Sequence, residues 1–153
     1  MQSLELKIPP PIVALIVALA MWGIKLISPV VEISSGFRLT TASALALLGG
    51  ACAVAGALTF RRARTTVNPL RPERATSLVS SGIYRLTRNP MYVGLLFVLF
   101  GWAVFLVTPV VLLGPAAYAV FINEFQIKPE ERILSKLFGN DYSEYTSRVR
   151  RWL

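Results

Sequence analysis

Four long apolar stretches limit what this chain can fold into more than any other feature of the sequence. They span about residues 8–27, 39–60, 91–107 and 110–127. A helix needs roughly 20 apolar residues, within a range of about 17–25, to cross the hydrocarbon core of a bilayer. Hydrophobic residues make up 54% of the chain and charged residues only 16%, unlike a typical soluble domain. We therefore predict one all-α integral membrane domain, residues 1–153, with four transmembrane helices.

The charged residues are concentrated in two of the connections. The 16 Lys and Arg outnumber the 8 Asp and Glu. Seven arginines and one glutamate lie in the loop 61–90, and six basic and four acidic residues lie in the tail 128–153. Cytoplasmic flanks of membrane helices carry an excess of Lys and Arg. We therefore expect the loop, the tail and both termini to be cytoplasmic, in the inner (plasma) membrane of a bacterium.

The composition also excludes several kinds of chemistry. The chain has no histidine, which removes histidine bases, histidine-dependent nucleophiles and histidine-ligated metals, and we expect no metal. Its one cysteine, Cys52, lies in an apolar run and is expected to pack there. The arginines of the loop 61–90 have no aromatic residues interleaved for base stacking, so we expect no nucleic-acid partner. Catalysis must therefore use other polar side chains or a reactive cofactor.

A first cluster of polar residues lies where the loop 61–90 meets the third apolar stretch. Gly82 permits a turn with positive φ. Asn89 and Pro90 are typical of a helix N-cap followed by proline at the first helical position. The free N–H groups of such a helix start can bind an anion, with Arg88 beside them. The simpler interpretation is that Arg88 only marks the cytoplasmic side and that Asn-Pro only starts a helix.

A second cluster opens the tail. Pro129 predicts the start of a new helix, which Gly139 ends. On a helical wheel Glu130 lies near the centre of the apolar face and Glu131 near its edge, so either carboxylate could be the important one. The simpler interpretation is that both acids stabilise the helix dipole and pair with loop arginines. The basic end of the chain, 148–153, is expected to be an interfacial anchor.

Together the two clusters resemble a known family. The first reads Gly82-x-Tyr84-x3-Arg88-Asn89-Pro90-x-Tyr92-x-Gly94, and the second reads Glu130-Glu131-x2-Leu134-x3-Phe138-Gly139-x2-Tyr142-x2-Tyr145. Both resemble signatures of the isoprenylcysteine carboxyl methyltransferases, integral-membrane enzymes related to the phospholipid N-methyltransferases. The resemblance covers roughly residues 76–151.

The resemblance implies S-adenosylmethionine as the cofactor, held at the cytoplasmic interface between the loop and the C-terminal segment. The cofactor's methionyl carboxylate suits the helix start near Arg88 and Asn89, and its cationic groups and ribose hydroxyls suit Glu131. The expected cofactor-binding residues are Ser77, Leu78, Val79, Gly82, Tyr84, Arg88, Asn89, Pro90, Tyr92, Glu130 and Glu131.

Two positions depart from the family pattern. Asn89 stands where the family has histidine, and it can still cap a helix and form hydrogen bonds. Gln126 stands where the carboxyl methyltransferases place an arginine that orients the substrate carboxylate. We expect Gln126 and Asn123 to face the acceptor, and we expect an acceptor other than a prenylcysteine carboxylate.

The sequence thus predicts an S-adenosylmethionine-dependent methyltransferase that acts on a lipophilic small molecule or a lipid. Transfer to O, S or N stays open. The alternative is a non-catalytic four-helix membrane module that binds a lipid or a partner helix.

Overall fold

The structure is a computed structural model that describes residues 5–63 and 72–153. Within these two ranges the secondary structure is helical, with no β-strand. The five α-helices are α1 Pro10–Ile27, α2 Ser35–Arg62, α3 Pro90–Leu106, α4 Leu113–Ile122 and α5 Lys128–Arg148. Short 3₁₀ turns occur at Pro72–Arg74, Gly82–Arg85 and Pro109–Leu112. The part of the predicted cytoplasmic loop that includes Arg64 and Arg71 lies outside the described residues.

The helices have the lengths and the exposed apolar surface that are typical of a membrane protein. The helices Pro10–Ile27 and Ser35–Arg62, and the continuous helical segment from Pro109 onward, are long and apolar enough to cross a bilayer, whereas α3 is apolar but has only 17 residues. Large apolar side chains point outward, including Leu15, Leu47 and Val120, which are 58%, 74% and 65% exposed. Extensive exposed apolar surface marks contact with lipid rather than water. The chain is therefore an integral membrane protein.

Helices α2 and α3 approach each other closely along a line of glycines. A Cβ atom added to Gly49 would clash with the Gly94 carbonyl oxygen, and one added to Gly101 would lie 2.8 Å from the Ala42 carbonyl oxygen. Small residues allow this backbone contact inside a bilayer, where van der Waals packing must hold the helices together. The neighbouring Gly50 has open space around it. The contact fixes the start of α3 beside the end of α2.

Helix α5 begins at Lys128 and has Pro129 in its first turn, as the sequence predicts. No break in the chain precedes it, because a π-helical turn, Asn123–Ile127, joins α4 to α5. Proline has no N–H for the carbonyl four residues earlier. The structure supplies another donor, because the Leu6 N–H donates to the Phe125 carbonyl oxygen at 3.0 Å. The chain therefore leaves the apolar stretch, which ends at Ile127, without a break.

Gly139 interrupts α5 as its sequence position predicts. Its backbone has φ 49° and ψ −119°, a conformation outside the helical region that suits glycine. The helix resumes after this kink and buries Tyr142 and Tyr145. The kink thus brings the second half of α5 over the start of α3.

Candidate functional site

The loop before α3 is held in place by the tail. Gly82 adopts a φ of +59°, as its position in the motif predicts. Tyr84 follows in the same 3₁₀ turn, and its ring contacts Phe60 edge-on, with 5.2 Å between ring centroids. The Tyr145 hydroxyl donates to the Tyr84 carbonyl oxygen at 2.8 Å. These contacts join the loop to the end of α2 and to the second half of α5.

The start of α3 has the predicted positions but not the predicted capping bond. Asn89 is the N-cap residue and Pro90 is the first helical residue, yet the Asn89 side chain does not cap the helix. Its Nδ2 instead donates to the Arg151 carbonyl oxygen at 2.8 Å. The Arg88 N–H donates to the Arg150 carbonyl oxygen at 3.0 Å. The motif therefore binds the C-terminal segment.

This end of the chain is more than the simple anchor that its sequence predicts. Besides the two backbone contacts above, the buried Thr87 hydroxyl donates to the Arg151 carbonyl oxygen at 3.3 Å. Trp152 packs against the buried apolar core. Residues 150–152 thus support the loop residues Thr87, Arg88 and Asn89 from behind, which their basic and aromatic composition did not indicate.

Glu131 lies at the centre of a group of charges that we call the Glu131 cluster, formed by Arg88, Asn123, Glu131 and Arg151. The Arg151 guanidinium donates to both carboxylate oxygens of Glu131, at 3.0 Å from Nε and 2.6 Å from Nη2. Arg88 Nη1 lies 3.3 Å from Oε1 of the same carboxylate. Arg151 Nη1 also donates to Asn123 Oδ1 at 3.2 Å. The hydrogen bonds from Arg151 to Glu131 raise the pKa of Arg151.

Glu130, the adjacent residue, has different partners. Its Oε1 accepts hydrogen bonds from the Tyr92 hydroxyl at 2.6 Å and from Gln126 Nε2 at 3.0 Å. We call these three residues the Glu130 network. No Lys or Arg among the described residues lies within ion-pair distance of Glu130. Burial raises the pKa of Glu130, which lies beyond the apolar stretch, to about 7, although both hydrogen bonds act to lower it.

One cavity brings these elements together. The space between its walls is about 840 Å³ when the part open to solvent is included. Its lining includes every predicted cofactor-binding residue except Gly82 and Pro90, namely Ser77, Leu78, Val79, Tyr84, Arg88, Asn89, Tyr92, Glu130 and Glu131. Gly82 shapes the loop and Pro90 starts α3. Both carboxylates that the sequence left open therefore face the same space.

The two residues expected to face the acceptor are placed differently. Gln126 is 2% exposed and reaches the cavity through its hydrogen bond to Glu130. Asn123 is held by Arg151 and by its neighbour Glu124, to which its Nδ2 donates at 3.0 Å. Neither residue lines the cavity itself. The structure therefore connects Gln126 to the site and leaves Asn123 in the Glu131 cluster.

Three aromatic residues that line the cavity were not among the predicted site residues. Phe60, Tyr142 and Tyr145 line it together with Tyr84 and Tyr92. Burial raises the pKa of Tyr142 to about 12 and that of Tyr145 above its usual value, so both hydroxyls stay protonated near neutral pH. The spacing of Tyr142 and Tyr145 in the second motif was the signal for two of these residues. Phe60 is the last apolar residue before the arginines that end α2, and nothing in its position indicated a site.

Two buried polar atoms in the cavity wall need a ligand. Ser77 Oγ and Arg88 Nε are buried and have no hydrogen-bond partner within the described residues. Buried polar atoms are nearly always hydrogen-bonded, to protein, water or ligand. A hydroxyl and a guanidinium N–H together suit an anionic oxygen. In the described ranges, no group of three or more Cys, Asp or Glu residues is placed to hold a metal ion.

Comparison with known proteins identifies the family. Residues 37–141 match the family described as phospholipid methyltransferase. The chain belongs to this family. A 63-residue uncharacterized protein of Haemophilus influenzae is 41% identical over its whole length, which covers 41% of this chain. No solved structure matches the chain significantly.

The plant relatives confirm the resemblance stated from the two motifs. Protein-S-isoprenylcysteine O-methyltransferase B of Arabidopsis thaliana is 33% identical over 118 residues, which is 75% of this chain and 56% of the plant protein. Protein-S-isoprenylcysteine O-methyltransferase A of the same plant is 36% identical over 98 residues, which is 62% of this chain and 48% of the plant protein. The chain thus spans about half the length of these relatives. The family match 37–141 contains most of the residues that line the cavity, and Tyr142 and Tyr145 lie just beyond it.

Proposed function

We propose that this protein is an S-adenosylmethionine-dependent methyltransferase that crosses the membrane four times and acts on a lipophilic acceptor. The observation that carries the proposal is the cavity at the start of α3. It joins a loop segment, a helix start and the tail, three parts of the chain that are far apart in sequence. These parts hold the two motifs by which the sequence resembles the methyltransferases.

The cavity fits the cofactor on its own chemistry. Arg88 Nε and Ser77 Oγ offer unpaired donors for the methionyl carboxylate. Phe60, Tyr84 and Tyr142 offer apolar and aromatic surface for the adenosyl group and for a cation. When bound, S-adenosylmethionine supplies a methyl group that its sulfonium already activates. The protein then has to orient the reactants, exclude water and receive any proton that the acceptor releases.

Glu131 acts in this proposal mainly through Arg88. Both carboxylate oxygens of Glu131 already accept hydrogen bonds from Arg151, and Oε1 also pairs with Arg88. Such an ion pair fixes the direction of a guanidinium that is otherwise free to rotate. Glu131 therefore holds Arg88 at the cavity wall for the cofactor's carboxylate.

The orientation follows from the basic loop and tail. Cytoplasmic flanks of membrane helices carry an excess of arginine and lysine, and here Lys128, Arg132, Lys136 and Arg151 line a shallow surface next to Arg88 and Glu131. We infer that the cavity and both termini are cytoplasmic, in the inner (plasma) membrane of a bacterium. The helix α3, at 17 residues, is at the lower end of the length needed to span. The acceptor then reaches the site from the bilayer, as a lipophilic small molecule, a lipid or a lipid-linked group.

Calorimetric titration of S-adenosylmethionine into the detergent-solubilised protein tests this function without knowledge of the acceptor. We expect saturable binding, competition by S-adenosylhomocysteine and a rise in thermal stability with either compound. Glu144→Gln is a matched control, because it removes from the same helix an exposed carboxylate that does not line the cavity. Absence of binding and of stabilisation contradicts the enzyme and favours the non-catalytic membrane module.

A further inference from the structure

Glu130 is a carboxylate in the cavity wall that has hydrogen bonds but no counter-ion among the residues that the structure describes. Its neighbour Glu131 pairs with two arginines, whereas the described partners of Glu130 are the neutral donors Tyr92 and Gln126. A buried carboxylate without a positive partner either takes up a proton or attracts a cation.

Gln126 explains why the counter-ion is missing. It lies one helical turn before Glu130 and donates to Glu130 Oε1 at 3.0 Å. The carboxyl methyltransferases that the sequence resembles have at this position an arginine that orients the substrate carboxylate. Gln126 donates a hydrogen bond to Glu130 and carries no positive charge. The two donors therefore orient the Glu130 carboxylate without satisfying its charge.

We propose that the acceptor of this enzyme is a nucleophile that carries a removable proton and no negative charge, an amine or a thiol, and that Glu130 receives this proton. The proposal rests on the proposed methyltransferase function and names its substrate class. A carboxylate acceptor placed beside Glu130 would instead meet the like charge of Glu130 and the neutral amide of Gln126. Such an arrangement disfavours binding of an anion.

The proposed methyl transfer needs no reactant besides the methyl donor and the acceptor to balance its protons and electrons. For an amine, the nitrogen lone pair forms the new bond to the methyl carbon while the carbon–sulfur bond breaks, and its electron pair stays on sulfur. The nitrogen then carries a positive charge and releases a proton to Glu130. For a thiol, Glu130 takes the proton from sulfur before the bond to carbon forms. Glu130 returns the proton to solvent after the product leaves.

The geometry fits a proton acceptor. Tyr92 and Gln126 both donate to Oε1, so they fix the carboxylate plane. Both of these hydrogen bonds leave Oε2 uninvolved, and Glu130 lines the cavity. The raised pKa of Glu130, about 7, lets this group both take up and release a proton near neutral pH. The titratable groups that interact electrostatically with Glu130 are Glu131, Tyr84, Tyr92 and Tyr142.

Binding of three probes with the same alkyl chain tests the proposal. Dodecylamine, dodecanethiol and dodecanoate are titrated into the detergent-solubilised full chain saturated with S-adenosylhomocysteine. We expect the amine or the thiol to bind about tenfold more tightly than dodecanoate. Glu130→Gln should remove this preference, and Glu144→Gln should keep it. Gln126→Arg should shift the preference toward dodecanoate, because it supplies the counter-ion.

The outcomes separate this proposal from the function on which it depends. Saturation by S-adenosylhomocysteine is measured first, and its absence defeats the methyltransferase itself. With that binding in place, equal affinity for dodecanoate and both other probes overturns the acceptor class, and so does equal absence of binding. A preference that survives in Glu130→Gln overturns the role of Glu130. Methylation of the preferred probe by labelled S-adenosylmethionine, lost in Glu130→Gln with cofactor affinity kept, supports both steps.

Discussion

Two adjacent glutamates on one helix have opposite surroundings. Glu131 faces the polar edge of the site, where Arg88 and Arg151 neutralise its charge. Glu130 faces the cavity, where Tyr92 and Gln126 hold it and no described Lys or Arg pairs with it. A carboxylate that is paired serves to position its partners, whereas an unpaired one is available for proton transfer. In the proposals above, one residue along a helix thus separates cofactor binding from catalysis.

The largest expected effect comes from Glu130→Gln. This change keeps the size of the side chain and removes the proton acceptor. We expect turnover of the amine or thiol probe to fall about hundredfold, within the range for loss of an acid–base group. The rate is measured with methyl-labelled S-adenosylmethionine, and Glu144→Gln serves as the control. Turnover within threefold of the wild-type value would remove Glu130 from the chemistry.

A smaller effect is expected on the other side of the comparison, from Arg151→Lys. Lysine keeps the charge but loses the paired contacts to Glu131 Oε1 and Oε2. We expect S-adenosylmethionine to bind about threefold to tenfold more weakly, because Arg88 and Glu131 are less firmly held. Arg150→Lys is the matched control, since its side chain is exposed and lies outside the cavity lining. Equal effects of the two changes would show that Arg151 acts only through its charge.

Two tyrosine variants, Tyr92→Phe and Tyr118→Phe, each remove one hydroxyl. They compare a hydroxyl that binds Glu130 with one that has no described partner. Tyr92 donates to Glu130 at 2.6 Å, whereas the buried Tyr118 hydroxyl has no partner in the described ranges. Loss of a hydrogen bond to a charged group costs about 1.5–3 kcal/mol, and removal of an unpaired hydroxyl costs little. We expect Tyr92→Phe to lower the thermal midpoint in detergent and Tyr118→Phe to leave it unchanged or raised. A larger loss in Tyr118→Phe would contradict this ranking.

The smallest expected effect is a dependence of stability on pH. Because the pKa of Glu130 is raised to about 7 from an ordinary value of 4.5, the folded protein holds this proton more tightly than the unfolded chain. Stability should therefore fall as pH rises from about 4.5 to 7, relative to Glu130→Gln. The difference in thermal midpoint between the two proteins across this range measures it. A difference that is constant with pH would show that Glu130 is charged throughout.

The fold and most of the cavity lining could be predicted from the sequence. The apolar stretches predicted the helices, because a membrane helix is recognisable from the length and apolar composition of its sequence. The motif residues met at one cavity because Gly82 and Gly139 adopt the turns that their positions require. What sequence reasoning missed depends on distant contacts. Helix α5 starts beside Pro129 as predicted, but a π-helical turn joins it to α4, and the Leu6 N–H donates to the Phe125 carbonyl oxygen that the proline leaves without a helical donor.

The partners of the two glutamates were also beyond the sequence. A helical wheel placed Glu130 and Glu131 only one position apart, and their environments depend on which groups reach them from elsewhere. Arg151 reaches Glu131 because the backbone of the last residues pairs with Arg88 and Asn89. The basic composition of this segment indicates a membrane surface equally well. Only the contacts in the folded structure show that this segment supports the site as well as being basic.

The most direct test of the account is calorimetric titration of S-adenosylmethionine into the Glu130→Gln and Glu131→Gln proteins. Glu131→Gln leaves Arg88 without its ion pair, and we expect cofactor affinity to fall about tenfold or more. Glu130→Gln should bind the cofactor within about threefold of the wild-type affinity, because it removes only a group assigned to the acceptor. Equal weakening in both variants, or a larger loss in Glu130→Gln, would contradict the division of roles between the two carboxylates.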